Sequence, residues 1–171
     1  MSKKRTIALT ISAIAVALGI GAQFYTNHKI DQVLKNFPYS LDNQATLNVT
    51  QTAKNFFIRE LIFSVKDSDA KSTNVISTKL TALPFFITAE SQLSEQLVRQ
   101  LNKTLNITID KNTINSKFSP VGDYLQSDIL TEFRDFANKS QNLSIGLNFL
   151  KNKEVELKTT LSGFNYDKDT K

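Results

Sequence analysis

The feature that most constrains this chain is an uncharged apolar run near its N-terminus. From Thr6 to Ala22 no residue is charged, and Ile, Ala, Leu and Val dominate. Gln23, Phe24 and Tyr25 extend the run to 20 residues. A helix of that length spans about 30 Å, the thickness of a bilayer core. Lys3, Lys4 and Arg5 precede the run, and the aromatic pair Phe24–Tyr25 closes it. Basic clusters stay on the cytoplasmic side of a membrane and aromatic rings favour its interface. The expectation is a basic cytoplasmic cap over 1–5 and a transmembrane helix over 6–25. A cleaved signal peptide is the rival, because Gly19, Gly21 and Ala22 supply small residues near a cleavage point. Two features favour an uncleaved anchor: the run is longer than a signal peptide's apolar core, and Ile20 fits poorly three places before a bond after Ala22. A pilin-like start is excluded, since no acidic residue occurs before Asp31.

Helical periodicity continues beyond the run. Ile30, Val33, Leu34 and Phe37 fall at i, i+3, i+4 and i+7, with polar residues between them, and Pro38 then stops a helix. The spacing predicts one helix from Thr6 to Phe37, whose upper part, 26–38, is an amphipathic stalk. Its stripe is expected to dock on the following domain and to cover the C-terminal hairpin. One heptad is too short to argue for a coiled coil.

The remainder, 39–171, reads as a single α+β domain. Period-two alternation marks strands at Ala45–Gln51, Phe57–Val65, Asn74–Thr81, Asn106–Lys117, Leu143–Phe149 and Val155–Leu161. The last two form a hairpin across Lys151–Lys153. Pro84 ends the third strand or bends it onto Phe85–Thr88. Ser94 is placed to cap a helix of about 10 residues carrying Leu97, Val98, Leu101 and Leu105. Asp128–Lys139 fits a helix through Ile129, Leu130, Phe133, Phe136 and Ala137, and a strand through Ile129, Thr131 and Phe133. The predicted architecture is thus a long N-terminal transmembrane and amphipathic helix followed by a mainly antiparallel sheet with one or two further helices.

Chemistry is conspicuous by what is missing. Without Cys there is no thiolate nucleophile, disulfide or Cys-bound metal, and the single His28 lies near the expected membrane surface with no partner in sight. Asp67-Ser68-Asp69 and Asp167-Lys168-Asp169 offer paired carboxylates, but calcium requires six to eight oxygens and no EF-hand pattern occurs. Glu90 and Glu95 have nothing to bring them together. Gly-rich phosphate loops and the nucleophile-elbow motif are absent. Of the net charge of +5, the cap supplies three, leaving +2 on the body, too little for a basic nucleic-acid stripe. No catalytic, cofactor or metal site is predicted, and no nucleic-acid partner.

The exit from the apolar run, Gly21-Ala22-Gln23-Phe24-Tyr25-Thr26-Asn27, resembles that of the YdgA-like family of bacterial proteins, which lack an assigned biochemical function. The segment Thr52–Phe57 is similar to the family's Tyr-x-Arg-Gly-Val-Phe element, with Asn55 where glycine is usual. Ala82-Leu83-Pro84-Phe85 is similar to part of a His-Gly-Pro-Phe element whose His and Gly are missing here. The resemblance implies an inner-membrane protein with its body in the periplasm, a left-handed backbone at Asn55, and a strand at Asp128–Phe133. Members are usually far longer, which implies a short version or the N-terminal piece of a longer one.

The expected function is a non-enzymatic, single-pass inner-membrane protein presenting a periplasmic interaction module to another envelope protein or to itself. Two alternatives are a hydrophobic-ligand or lipid-handling envelope module and a bitopic subunit of a secretion or pilus platform. Phe56, Phe57, Phe63, Phe85 and Phe86 form the candidate hydrophobic contact surface, and Ile30, Val33, Leu34 and Phe37 the docking stripe of the stalk.

Overall fold

The computed structural model describes residues 3–41, 45–67, 71–119, 124–149 and 155–162, with side chains from residue 19 onward. Helix α1 runs over Lys3–Leu34, 32 residues or about 48 Å. It ends one turn short of Phe37, where Lys35–Asn36 form a turn before Pro38. Among the described residues no helix is long and apolar enough to cross a membrane. Most of the Thr6–Ala22 run falls on residues 3–18, whose side chains lie outside that description.

Among the described residues nine strands follow: β1 Tyr39–Ser40, β2 Ala45–Lys54, β3 Ile58–Asp67, β4 Ser72–Leu83, β5 Phe86–Leu93, β6 Thr108–Phe118, β7 Leu125–Arg134, β8 Ser140–Phe149 and β9 Val155–Ser162. They form one sheet in the order β1 to β9, every neighbour antiparallel. Helix α2, Glu95–Leu105, connects β5 to β6. Ser94 caps it by accepting the Leu97 N–H at 3.1 Å, and Asn106 closes it in the left-handed region at φ 53°. The domain is therefore α+β with an antiparallel sheet.

One reading left open by the sequence is resolved as a strand, and one is corrected. Asp128–Lys139 is not a helix: β7 runs to Arg134, and Asp135 then closes a turn by accepting the N–H groups of Ala137 and Lys139, both at 2.9 Å. Pairing of Ile129 with Ile114 and of Phe133 with Ile109 outweighs the local helical spacing. Asn55 is not left-handed; the described non-glycine residues with positive φ are Phe85, Asn106 and Asn138. Asn55 instead folds its side chain back, its Oδ1 accepting from Phe57 N at 2.9 Å and Ile58 N at 2.6 Å. Glycine could make neither bond.

The core is small. Ile30 of α1 packs with Leu61, Leu80, Ala82, Ile87 and Ala89, and Leu34, Val49, Phe63 and Phe118 pack against that cluster. The helix therefore covers β3 to β5. Contrary to the expectation from the sequence, it does not cover the β8–β9 hairpin: all described residues of β9 are exposed. The segments 68–70 and 151–154 and residues 163–171, with Asp69, Asp167 and Asp169, lie outside the described residues.

Candidate hydrophobic groove

Directly opposed residues of an antiparallel pair share a face, so the register sorts the sheet into two surfaces. One carries the row Glu60, Lys79, Glu90, Asn115, Asp128. Lys79 stands between two carboxylates there, an arrangement suited to water. A cavity of about 460 Å³ on this side is lined by Glu60, Lys79, Glu90, Gln92 and Asn115 among others. These are solvated ladder residues, with no group of three potential metal ligands among the described residues.

The other surface is apolar. Its rows run Ala82, Ile87, Phe118, Leu125, Phe149, Val155 at one end of the sheet, and Phe63, Ile76 and Leu93 toward the other. Helix α1 lies against this surface without filling it. Between them is a groove of about 590 Å³, floored by Leu61, Phe63, Ile76, Leu80, Ile87, Ala89, Ile114, Phe118 and Leu125, and walled by Ile30, Val33, Leu34 and Phe37. Thr78, Ser91, Ser116 and Ser119 add hydroxyls, and among the described residues Lys29 is the one charged member of the lining. The lining thus extends from Phe118, Ser119 and Leu125 at one end to Phe37, Phe63 and Ile76 at the other.

A polar latch sets how far α1 stands off the sheet. Gln23, Asn27 and Asp31 recur every four residues and so share a helix face. Gln23 Nε2 donates to the carbonyls of Phe56 at 3.1 Å and Ala82 at 2.8 Å. Asn27 Nδ2 donates to the Phe56 carbonyl at 2.9 Å. Arg59, fully buried on the apolar surface, donates to Asn27 Oδ1 at 3.0 Å and ion-pairs with Asp31, which also meets Lys54 at 3.1 Å. The Arg59 hydrogen bond holds the Asp31 carboxyl below its ordinary value, against a smaller opposing effect of burial; Lys54 assists. A buried Arg is tolerated because the helix supplies its counter-ion and acceptors.

The predicted residues are dispersed. Ile30 is buried, Leu34 and Phe37 are half-buried, and Val33 is exposed along the groove. Phe63 lines the groove and its ring meets that of Phe37 edge to face at 5.9 Å. Phe86 lies on the opposite surface, beneath the Lys117 ammonium at 4.7 Å. Phe56 and Phe57 occupy the β2–β3 turn and Phe85 the β4–β5 turn, all exposed. His28 is exposed, Glu95 pairs with Arg99 at 3.4 Å, and Glu90 sits in the polar row. Sequence reasoning missed the groove floor from β4 to β7 and the latch. The four-residue recurrence of Gln23, Asn27 and Asp31 was the available signal for the latch. Neither a protein-family model nor a curated protein nor a solved structure matches the chain.

Proposed function

We propose that this chain is a membrane-anchored, non-enzymatic module that holds an aliphatic chain between α1 and the sheet. The observation that carries the reading is the groove: about 590 Å³, within the range of small-molecule sites, and lined mainly by apolar side chains. A closed, filled core would have argued instead for a plain interaction module. Lys29 supplies a cation to the lining, suited to a carboxylate or phosphate head. The uncharged run Thr6–Ala22 behind a basic cap supports an anchor with the body on the far side of a bacterial inner membrane. Membership of the YdgA-like family belongs to the same proposal.

The test uses the full chain in lipid nanodiscs and a fluorescent fatty acid. Saturable binding, abolished when Ile114→Trp fills the groove, is the expected result. Binding unchanged by that variant would overturn the reading. A second reading, an interaction module for an envelope protein or a second copy, is supported by β9, the last strand of the sheet among the described residues, where Val155 and Leu157 are 60% and 67% exposed. Cross-linking through β9 in membranes would favour it.

A further inference from the structure

The turns at one end of the sheet carry a cluster of exposed aromatic rings. Gln23 and Asn27 pin α1 to the β2–β3 turn and to Ala82, so the helix leaves the domain at this end. Phe24 stacks edge to face on Phe56 at 5.4 Å, and Phe56 on Phe57 at 5.0 Å. Phe24, Phe57 and Phe85 are nevertheless 62%, 50% and 60% exposed. Beside them the Lys29 ammonium lies 5.5 Å from the Tyr25 ring, and Lys54 and Lys117 flank the same end.

Phe85 adds an independent observation. It holds φ 72° in the two-residue turn Pro84–Phe85, a conformation a bulky side chain adopts only under strain. Glycine would adopt it freely, so a largely exposed phenylalanine there costs stability and gains little burial within the domain. Its carbonyl is tied to the β6 end by the Ser119 hydroxyl at 3.2 Å, which holds the ring at the tip.

The geometry points to a second membrane contact: Phe24, Phe56, Phe57 and Phe85 insert into the interfacial layer of the bilayer, with Lys29 and Lys117 facing anionic headgroups. Aromatic rings partition to that layer and lysines beside it gain from anionic lipid. The continuity of α1 with the apolar run places the tip at the right height, so the inference rests on the anchoring of Thr6–Ala22. The same end of the sheet carries Phe118, Ser119 and Leu125 of the groove lining, which brings the groove to the lipid surface.

The chain contains no Trp, so a single substitution gives an unambiguous fluorophore. The full chain is reconstituted into phosphatidylcholine–phosphatidylglycerol vesicles with bromines near the carbonyl end of the acyl chains. Phe56→Trp, Phe57→Trp and Phe85→Trp are compared with Ile14→Trp in the anchor and Phe136→Trp at the opposite end of the sheet. Strong quenching at 56, 57 and 85, weaker with bromines at mid-chain, and none at 136 is expected. Quenching at 14 but not at the tip overturns the inference and leaves the anchor standing. Quenching at the tip, but at 14 with neither bromine depth, removes the anchor and with it the inference that rests on it. A blue-shifted but unquenched tip would mean a protein partner or second copy, and overturns it. Three tip positions guard against one variant misfolding.

Discussion

The two halves of the sheet share one pattern and differ in their fate. In β3 to β5 the apolar positions are buried: Leu61 is 2% exposed and Ile87 1%. In β9 the equivalent alternation of Val155, Leu157 and Leu161 is open to solvent. Alternation therefore specifies which side of a strand is apolar, not whether anything lies over it. What differs is α1, which crosses the first half only. Fully burying one aliphatic side chain stabilises by about 1.5–3 kcal/mol, so the covered half supplies most of the hydrophobic stability.

The sharpest way to break this comparison is to truncate one residue in each half. Leu61→Ala should destabilise by about 2–5 kcal/mol, whereas Leu157→Ala should stay within about 0.5 kcal/mol. Denaturant melts of both variants decide it. A large loss at Leu157 would show that something covers β9 in solution.

Next in size is the strained tip. Phe85→Gly relieves the left-handed backbone and should raise stability by about 1 kcal/mol in the same melts. Loss of stability would mean that the ring is packed within the domain after all.

Asp31 sharpens the account of the cover. Asp31→Asn should cost about 1 kcal/mol at neutral pH, because one charge-assisted partner of Arg59 goes while Asp31 itself is partly solvated. The folded carboxyl titrates below its unfolded value, so its contribution is present above about pH 4 and is lost as pH falls through the folded value. Melting curves of parent and variant should converge on acidification in that window. Divergence at low pH would contradict the latch.

An effect of similar size is expected at the β2–β3 turn. Asn55→Gly should destabilise by about 1 kcal/mol through loss of two side-chain bonds to backbone N–H groups. A neutral result in thermal melts would restore the left-handed backbone that the family resemblance implies.

Much of the sheet was legible because strand alternation and turn chemistry are local. The strands at Ala45–Gln51 and Leu143–Phe149 and the cap at Ser94 needed only their own neighbours. Asp128–Lys139 was not legible, because its apolar spacing satisfies both periods and only pairing with β6 chooses between them. The groove was half legible. Phe63 and the α1 stripe announced themselves by spacing, but Ile87, Ile114 and Leu125 are brought together by register across four strands. Phe56, Phe57 and Phe85 were grouped with Phe63 because all are aromatic; the turns send them to the sheet's tip instead. Arg59 alternates with Leu61 and Phe63 and so shares their face, yet nothing local reveals that helix α1, 28 residues earlier at Asp31, neutralises it.

The unbroken strand order has a consequence for how such a chain can change. Among the described residues every pairing joins strands adjacent in sequence, so none of these strands is threaded between two others. A hairpin inserted or removed between β5 and β9 shifts everything after it by two places and leaves each remaining pair's facing intact. The groove's floor can therefore be widened or narrowed by whole hairpins while α1 and its latch stay untouched. Width, in this architecture, is a parameter that duplication of a short segment can tune without redesigning the rest.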